Sequence, residues 1–313
     1  MKEEIRKILL ETGALAVGFS KAGETDPLVN SQFSDWINQG YHGDMTYLVR
    51  HIPLRQNTDS VLPGAMTVVS LSFGYPMNET GNPEFPYISS YAFLDDYHVT
   101  LRKHLEKTLD ALRKSYGGKW RLCIDSAPVS ERYYAIKSGI GRRGLNGCVI
   151  VDGAGCFNFL VEILTTIELS PDSSSVLTCC QCGECIKVCP SQALNGDGTM
   201  DARRCINYLT IEKKAELSEN DKNILKQDKG YMLGCDKCLK VCPHNKIKIS
   251  NNHSYRKILT ENAAVRYLTP TRIIGMEEEE FNQKFADSPL KYVGLPRLKR
   301  NARILLDHPE PEG

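Results

Sequence analysis

Apolar residues in the first 170 positions recur with two spacings, which predict helices alternating with strands. Between Asp96 and Gly117, four leucines fall on one face of a long helix: Leu101, Leu105, Leu109 and Leu112. Shorter helices are predicted at residues 3–11 and 130–137. Continuous apolar runs, which are typical of buried strands, occur at residues 14–19, 66–73 and 121–124. This succession predicts an α/β core.

Two more strands are predicted at residues 148–151 and 157–169, and we expect them to pair with each other across a turn at Asp152 and Gly153. Residues 139–144 precede them, contain three glycines and are predicted to be a loop. Asp125 follows the strand at 121–124, at the edge where α/β proteins place their chemistry.

Charge and hydropathy restrict the surroundings in which the protein works. The chain has 313 residues, with 39 Lys and Arg against 38 Asp and Glu, so its formal net charge is +1. We therefore expect any nucleic-acid surface to be local. The N-terminus is charged, and no run approaches the ~20 apolar residues of a membrane helix. We expect a cytoplasmic protein that has no contact with a membrane.

Two cysteine runs between residues 179 and 243 carry the strongest chemical signal. The first has the spacing C-x2-C-x2-C-x3-C-P, which in two-cluster ferredoxins sends three thiolates to one 4Fe-4S cluster and the fourth to the other. The second run has Met232 where the pattern needs a cysteine, and Cys205 is available instead. We predict two 4Fe-4S clusters. One is held by Cys179, Cys182, Cys185 and Cys242, and the other by Cys189, Cys205, Cys235 and Cys238.

Zinc and disulfide bonds are the alternatives for this many cysteines. A structural zinc site takes four ligands and needs neither the third regularly spaced cysteine nor the repeated Cys-Pro. A disulfide framework is typical of short secreted chains. The cysteines that neither cluster needs are expected to be packed or bystander residues: Cys123, Cys148, Cys156 and Cys180.

An ordered series of short motifs accompanies the cysteine runs. It comprises Trp36 with residues 40–48, Arg55, residues 62–65, 91–92, 96–98, 125–129, 155–163, 201–205, 208–212 and 300–301. The series covers nearly the whole chain and resembles the epoxyqueuosine reductase family, cobalamin and iron–sulfur enzymes that complete queuosine in tRNA.

The resemblance implies an α/β, mixed-sheet, nitroreductase-like core that binds cobalamin, with an inserted ferredoxin-like domain for two 4Fe-4S clusters. The corresponding division is a core at residues 1–170, a dicluster domain at 171–248 and a short helical, partly basic segment at 249–313. The implied reaction is the reductive deoxygenation of an epoxide to an alkene, which consumes two electrons and two protons. Asp96-Tyr97-His98 lacks the later glycine of a D-x-H-x-x-G motif, so weak lower ligation of cobalt is expected.

The resemblance also implies that Asp125 donates a proton to the substrate. Donation near neutral pH would require burial to raise its pKa well above the ordinary value near 3.9. The alternative is that Asp125 caps the following helix or binds the turn backbone. Further catalytic candidates are Asp96, Tyr97 and His98, with helix capping by Asp96 and core packing by Tyr97 as alternatives.

Candidate cofactor-binding residues, besides Asp125, are Tyr41, His42, Arg55, Ser126, Arg142 and Asn146. For Tyr41 and His42, the alternative is a purely loop-forming role. Arg142, Leu145 and His244 depart from the family pattern, which commonly has Trp, Lys and Trp there. These departures keep two other functions open. One is a corrinoid-dependent reductase of a small molecule, resembling reductive dehalogenases, and the other is a non-catalytic iron–sulfur electron carrier.

A local basic surface is predicted near the C-terminus. Residues 288–306 contain no acidic residue, but they contain Lys291, Arg297, Lys299, Arg300 and Arg303. Beside Tyr292, this cluster is expected to bind phosphates of a tRNA anticodon loop. The alternative is a solvated helix that balances the acidic run at 277–280. A cellular electron donor such as a flavodoxin or ferredoxin is the second expected partner.

The ligand assignment predicts the effect of a single substitution. Cys205→Ala should remove one ligand of one cluster, so the iron content should fall by about half while the other cluster remains. Iron and sulfide analysis of the anaerobically reconstituted variant measures this. Unchanged iron content would show that the assignment is wrong. Cys180→Ala serves as the matched control and should leave the iron content unchanged.

Overall fold

Helices and short strands alternate along the chain, as the apolar pattern predicts. The structure, a computed structural model, describes residues 1–77, 87–152, 154–174, 178–246 and 258–307. The helices are α1 (Lys2–Glu11), α2 (Pro27–Asn38), α3 (Tyr47–Arg55), α4 (Tyr97–Tyr116), α5 (Glu131–Lys137), α6 (Glu184–Lys187), α7 (Glu219–Lys226), α8 (Lys237–Lys240), α9 (Pro270–Gly275), α10 (Glu278–Lys284), α11 (Leu290–Val293) and α12 (Leu295–Leu306). The strands are β1 (Ala16–Lys21), β2 (Thr67–Gly74), β3 (Tyr87–Ile88), β4 (Trp120–Cys123), β5 (Gly141–Arg143), β6 (Val149–Val151), β7 (Asn158–Thr165) and β8 (Tyr231–Leu233).

The main sheet has four strands in the order β1-β2-β7-β4. Each neighbouring pair in it is antiparallel, so the prediction of a mixed sheet is wrong for this sheet. The described parallel pairing joins β3 to β8 outside it. Apolar runs predicted the strands, but they carry no information on strand direction, which depends on how the connecting segments cross the sheet.

The sheet is covered on both faces, which explains its uninterrupted apolar runs. All eight residues of β2 are buried. On one face, Leu71 and its neighbours pack against the leucine face of α4, including Leu105, and against Leu9 of α1. Burying each such leucine stabilises the fold by about 1.5–3 kcal/mol. On the other face lies α5, which contacts β1, β2 and β7.

The predicted hairpin between residues 148–151 and 157–169 does not form. Strand β6 pairs with β5, whereas β7 pairs with β2 and β4. Gly153 of the predicted turn lies outside the described residues. The eight-residue β7 is sandwiched between two strands that are distant in sequence, and a local turn signal does not reveal such partners.

The predicted glycine-rich loop is partly a strand. Gly141 lies in β5, where an added Cβ would be 2.4 Å from Cγ1 of Val149. Glycine is therefore required for the close approach of β5 and β6, one of the few reasons for glycine inside a strand.

The C-terminal helices pack onto strand β8 rather than forming a separate body. Leu295 and Leu298 of α12 share an apolar cluster with Met232 and Leu233 of β8. The predicted division at residues 248–249 falls outside the described residues. Among the helices that are described, none is both long and apolar enough to cross a lipid bilayer.

The contact between β1 and α5 predicts a sensitive position. An added Cβ at Gly18 would lie 2.2 Å from the backbone oxygen of Ser138, so Gly18→Ala must push α5 away from the sheet. We expect the free energy of unfolding to fall by about 1–3 kcal/mol, as for other overpacked cores. Denaturant titration followed by circular dichroism measures it. Gly275→Ala, where an added Cβ meets nothing within 4 Å, is the matched control. Equal stability of the two variants would contradict the packing described here.

Candidate active site

The loop that follows β4 presents Asp125 in a strained backbone conformation. Its φ angle is +49°, in the left-handed region that non-glycine residues seldom adopt. The backbone N–H of Asp125 donates to Oε1 of Glu131 at 2.6 Å, which ties the loop to the first turn of α5. A conformation of this kind persists only where its surroundings hold it in place.

His98, in the first turn of α4, bridges two carboxylates. Its Nδ1 lies 2.8 Å from Oδ1 of Asp96, and its Nε2 lies 2.9 Å from Oδ2 of Asp125. Asp96 is also the N-cap of α4, because the same Oδ1 accepts the backbone N–H of His98 at 2.9 Å. The capping role considered for Asp96 is therefore present together with its contact to the imidazole.

The ring of Tyr97 packs against the imidazole of His98. Its ring stacks on His98 with centroids 4.0 Å apart and on Phe159 with centroids 4.1 Å apart. Burial, followed by the charge of Asp125, raises the pKa of Tyr97 far above the ordinary value, so its hydroxyl keeps its proton. The core packing considered for Tyr97 is thus present as well. The structure brings together all four predicted catalytic candidates.

The proton of this group resides on His98. Burial lowers the pKa of His98, but its hydrogen bonds to Asp125 and Asp96 outweigh this effect and raise that pKa to about 9. Burial raises the pKa of Asp125, yet the hydrogen bond and charge of His98 hold it below the ordinary range. The Asp125 side chain is 59% exposed, so the burial that raises its pKa is incomplete. The expected rise in the pKa of Asp125 does not come from the protein groups.

Two other candidate residues flank this loop. The guanidinium of Arg55 lies 5.2 Å above the ring of Phe33. Burial lowers the pKa of Arg55 below the ordinary value, and the charge of Glu131 opposes this only in part. Ser126 turns outward, where its hydroxyl donates to the backbone oxygen of Ile124 at 3.3 Å. Ser126 also lines a cleft with Arg102, Arg121 and other residues on the outer side of the loop.

Beside Asp125, helix α3 is only partly covered by the rest of the protein. None of its nine residues is buried, although Leu48, Val49, Ile52 and Leu54 are apolar. Tyr47 is the first residue of α3. Burial is the main cause that raises its pKa, and the charges of the nearby Glu212 and Asp125 raise it further. Val49 and Leu54 of α3 are therefore exposed apolar residues close to an acid–base group.

The structure places Tyr41 and His42 against the cluster segment. The ring of Tyr41 lies under the guanidinium of Arg203 at 5.3 Å, and its backbone oxygen accepts the N–H of Ala202 at 3.0 Å. The His42 ring lies 6.2 Å from that of Trp36. These contacts fit the loop-forming role that was the alternative for both residues.

Arg142 and Asn146 also lie beside the cysteine runs rather than beside Asp125. The buried Arg142 donates to Asp152 at 2.6 Å and to Nδ1 of His244 at 3.0 Å. The side-chain amide of Asn146 donates to the backbone oxygen of Cys238 at 3.1 Å. Both residues therefore connect the β5–β6 region to the second cysteine run.

The cysteines fall into two groups of neighbours. Burial raises the pKa of Cys235 to about 12, and the thiols of Cys205 and Cys189 add to the rise. The same neighbours, with Cys235, act on Cys238. In the other group, burial and then the thiols of Cys179 and Cys182 raise the pKa of Cys185. Cys179 packs against the apolar cluster that contains Cys242. The assignment of the eight ligands to two clusters stays a prediction. Within the described part of the chain, no three His, Cys, Asp or Glu side chains are already arranged around a metal-sized space.

Sequence reasoning missed three residues. Glu131, which lies in the predicted helix at residues 130–137, binds the Asp125 backbone. Cys148 and Cys156 were expected to be packed bystanders, but Cys148 adjoins Cys238, and Cys156 shares an apolar cluster with Cys242. Only Glu131 had a usable signal, since a glutamate in the first turn of a helix can reach back to the preceding loop.

Some basic side chains of the C-terminal segment donate hydrogen bonds to backbone oxygens of the same protein. Arg300 donates to the backbone oxygens of Lys213, Ala215 and Leu209 at 2.7–2.9 Å. Arg297 likewise donates to the backbone oxygens of Val293 and Tyr292. The predicted basic surface is therefore reduced to the remaining residues, Lys291, Lys299 and Arg303, beside the exposed Tyr292.

Comparisons with known proteins agree with this arrangement. A family model described as "Epoxyqueuosine reductase QueG, DUF1730" matches residues 55–126, and one described as "4Fe-4S double cluster binding domain" matches residues 178–245. The epoxyqueuosine reductase of Cyclobacterium marinum is 32% identical over 88% of this chain and 87% of its own length. That of Escherichia coli is 32% identical over 93% of this chain and 78% of its own length.

Solved structures show the same fold. Epoxyqueuosine reductase from Streptococcus thermophilus superimposes with a TM-score of 0.81 at 26% identity, covering 98% of this chain and 80% of that one. A second solved structure is that of an epoxyqueuosine reductase with an epoxyqueuosine-modified tRNA-Tyr stem loop. It superimposes with a TM-score of 0.83 at 24% identity, covering 97% of this chain and 80% of that one. The fold is mixed α/β with a 4Fe-4S-binding domain.

The pKa of His98 provides a direct test of the site. Since the folded-state pKa of about 9 exceeds the ordinary 6.5, the stabilisation that comes from charged His98 is complete below pH 6.5 and lost as the pH rises through 9. Asp125→Asn removes one carboxylate and should lower this pKa, which nitrogen NMR of the imidazole measures. The signals of His104, elsewhere on α4, are the internal control and should not change. An unaltered His98 titration would contradict the contact.

Proposed function

We propose, since the chain belongs to the epoxyqueuosine reductase family, that it removes the epoxide oxygen of epoxyqueuosine in tRNA. The chain is an oxidoreductase with a double 4Fe-4S cluster-binding domain. The observation that carries the proposal is the row of hydrogen bonds from Asp96 through His98 to Asp125. This row holds a transferable proton at the edge of the sheet, beside exposed apolar residues of α3.

The reaction consumes protons, which the site can provide, and electrons, which the clusters can provide. The epoxide takes up two electrons and two protons, both of its carbon–oxygen bonds break, and an alkene and one water molecule are produced. Single electrons come from the clusters. The oxygen that leaves needs protons, and an acid within hydrogen-bond reach lowers the barrier for its departure.

Asp125 is the group that delivers a proton to the leaving oxygen, and His98 recharges it. Because Asp125 lies 2.9 Å from Nε2 of His98, the imidazolium proton can move to the carboxylate as the bound substrate displaces water around it. Asp96 holds the imidazole through Nδ1, so that Nε2 always faces Asp125. Glu131 holds the loop backbone in its left-handed conformation.

The cofactor of the site is cobalamin, in a nitroreductase-like core. Four residues of α3 would hold the corrin: the exposed apolar residues Val49 and Leu54, and Tyr47 and Arg55 at the two ends of the helix. When bound, cobalamin would supply a metal centre that changes its oxidation state by single electrons. The two predicted thiol sets would each hold one 4Fe-4S cluster.

The substrate surface combines basic residues with exposed aromatic rings. Tyr292 is 61% exposed and Tyr47 is 37% exposed, and the charge of Asp125 acts on both. Single-stranded RNA loops are bound by stacking of splayed bases on such rings and by contacts to phosphates. Lys291, Lys299 and Arg303 would contact the anticodon-loop phosphates. Electrons would come from a cytoplasmic donor such as a flavodoxin or ferredoxin.

Substitution of the acid tests the proposed reaction. Asp125→Ala should reduce conversion of epoxyqueuosine in a tRNA stem loop by about 10²–10⁴-fold, because it removes the proton donor. Cluster absorbance and corrin binding should remain. The assay uses anaerobic protein, a chemical reductant and mass spectrometry of the digested RNA. Asp35→Ala, at an exposed position on α2, is the matched control. Loss of the clusters in Asp125→Ala would make Asp125 structural, and unchanged conversion would contradict its role.

A further inference from the structure

The imidazole of His244 is held on one side by Arg142. His244 is the second residue after Cys242, a predicted cluster ligand. One guanidinium N–H of Arg142 donates to Nδ1 of His244 at 3.0 Å, and another donates to Oδ1 of Asp152 at 2.6 Å. Because a guanidinium has donors but no acceptor, Nδ1 must accept, and the ring proton of His244 lies on Nε2.

Two buried N–H groups of this pair have no acceptor. Among the described residues, neither Nε of Arg142 nor Nε2 of His244 has a hydrogen-bond partner. The Arg142 side chain is only 9% exposed, so solvent does not replace the missing acceptor there. A buried donor without an acceptor is unfavourable, and in native proteins it commonly marks a place where an ion, a water molecule or a redox group binds. Two such donors on hydrogen-bonded side chains indicate an acceptor that the described residues do not supply.

Strand pairing places these two donors beside Cys242. Arg142 of β5 is opposite Ile150 of β6, and directly opposed residues of antiparallel strands point to the same face. Ile150 in turn shares an apolar cluster with Cys242 and Cys156. A hydrogen bond with Cys156 is the main cause that lowers the pKa of Cys242, and the backbone N–H of His244 and the charge of Arg142 lower it further. The arginine, the imidazole and a predicted cluster ligand therefore adjoin one another.

We propose that His244 and Arg142 donate hydrogen bonds to sulfur atoms of the 4Fe-4S cluster that Cys242 ligates, and that they raise its reduction potential. The assignment of Cys242 to a cluster rests on the proposed function. Hydrogen bonds to the sulfurs and the charge around a cluster are two of the factors that set its potential. Both stabilise the reduced cluster more than the oxidised one, because the added electron increases its negative charge. The cluster takes up one electron from the cellular donor, no bond breaks, and no proton is transferred.

Arg142 acts both through its charge and as a positioning residue for His244. Its bond to Nδ1 keeps the ring proton on Nε2. The carboxylate of Asp152 opposes the charge of Arg142, but Asp152 is 63% exposed, so solvent screens its effect on a buried cluster more strongly. The segment after Cys242 is also fixed, since Oδ1 of Asn245 accepts the backbone N–H of Cys156 at 2.8 Å. A cluster with a raised potential can accept electrons from a weaker reductant.

A redox titration of the protein with both clusters, followed by EPR, tests the proposal. His244→Phe keeps a ring but loses the N–H, and Arg142→Gln loses the charge. At the potential that half reduces the affected wild-type cluster, each variant should lower the ratio of reduced to oxidised cluster by about tenfold, which is about 59 mV for one electron. His244→Gln, whose amide N–H can reach the place of Nε2, should recover part of this loss. The other cluster is the internal control, and Arg272→Gln, at an exposed position on α9, is the matched control; both should be unchanged.

Pulsed EPR of the reduced cluster provides a second readout that does not depend on turnover. With nitrogen-15-labelled histidine, wild type should show a magnetic coupling between the cluster and an imidazole nitrogen, and His244→Phe should lack it. If a variant fails to bind its clusters, the coupling in wild type decides the question. Unchanged potentials in both variants, equal shifts of both clusters, or no coupling in wild type would overturn the proposal. If wild type shows the coupling but fails to convert the tRNA, the proposed function fails, whereas the hydrogen bond to the cluster is established.

Discussion

The hydrogen bond between His98 and Asp125 joins the start of α4 to the loop after β4, and the arrangement of the site depends on it. It sets where the proton resides, because a charged imidazole beside a carboxylate raises one pKa and lowers the other. It also helps to hold a strained loop, together with the bond from the Asp125 backbone to Glu131. Charge-assisted hydrogen bonds are about twice as strong as neutral ones, so this contact can fix a backbone that would otherwise relax.

The sheet brings these groups together. Asp125 lies two residues after the end of β4, Glu162 lies on the adjacent β7, and Tyr97 stacks on Phe159 of β7. Carboxyl groups from three elements thus surround one end of the sheet, while one imidazole and one guanidinium, those of His98 and Arg55, moderate their charge. The site consequently contains groups of different proton affinity: a partly exposed imidazole and carboxyl groups within the protein. A reductive reaction that consumes protons needs such a supply close to its substrate.

Local sequence patterns predicted the elements well but their partners poorly. Leu101 and the other leucines of α4 defined a helix because their spacing is a local property. The partner of β7 could not be predicted, since β2 and β4 are far away in sequence and a turn signal at Asp152 favoured the wrong neighbour. Gly141 indicated a loop, although the close approach of Val149 is what requires glycine there.

The motifs identified some residues of the site, but they did not reveal the contacts of others. Asp125 and His98 were singled out because they match a family pattern, and they are in contact. Arg300 was assigned to RNA from its charge, but its guanidinium satisfies backbone oxygens inside the fold. Composition shows how many charges a segment has, whereas the role of each charge depends on the carbonyl groups that the tertiary structure leaves unpaired. Asn146 similarly binds the backbone of Cys238, which only the folded chain brings near it.

In the proposed function, one chain combines two clusters, a corrin and an acid at Asp125 to reduce an epoxide on tRNA. The most direct test is to measure iron, sulfide and cobalt in anaerobically reconstituted protein, and then to follow the base in an epoxyqueuosine-containing stem loop by mass spectrometry. We predict about eight irons, one tightly bound corrin, and conversion of the epoxide to the alkene. Clusters and corrin without conversion would contradict it and point to a small-molecule substrate, whereas clusters without corrin would leave only an electron carrier.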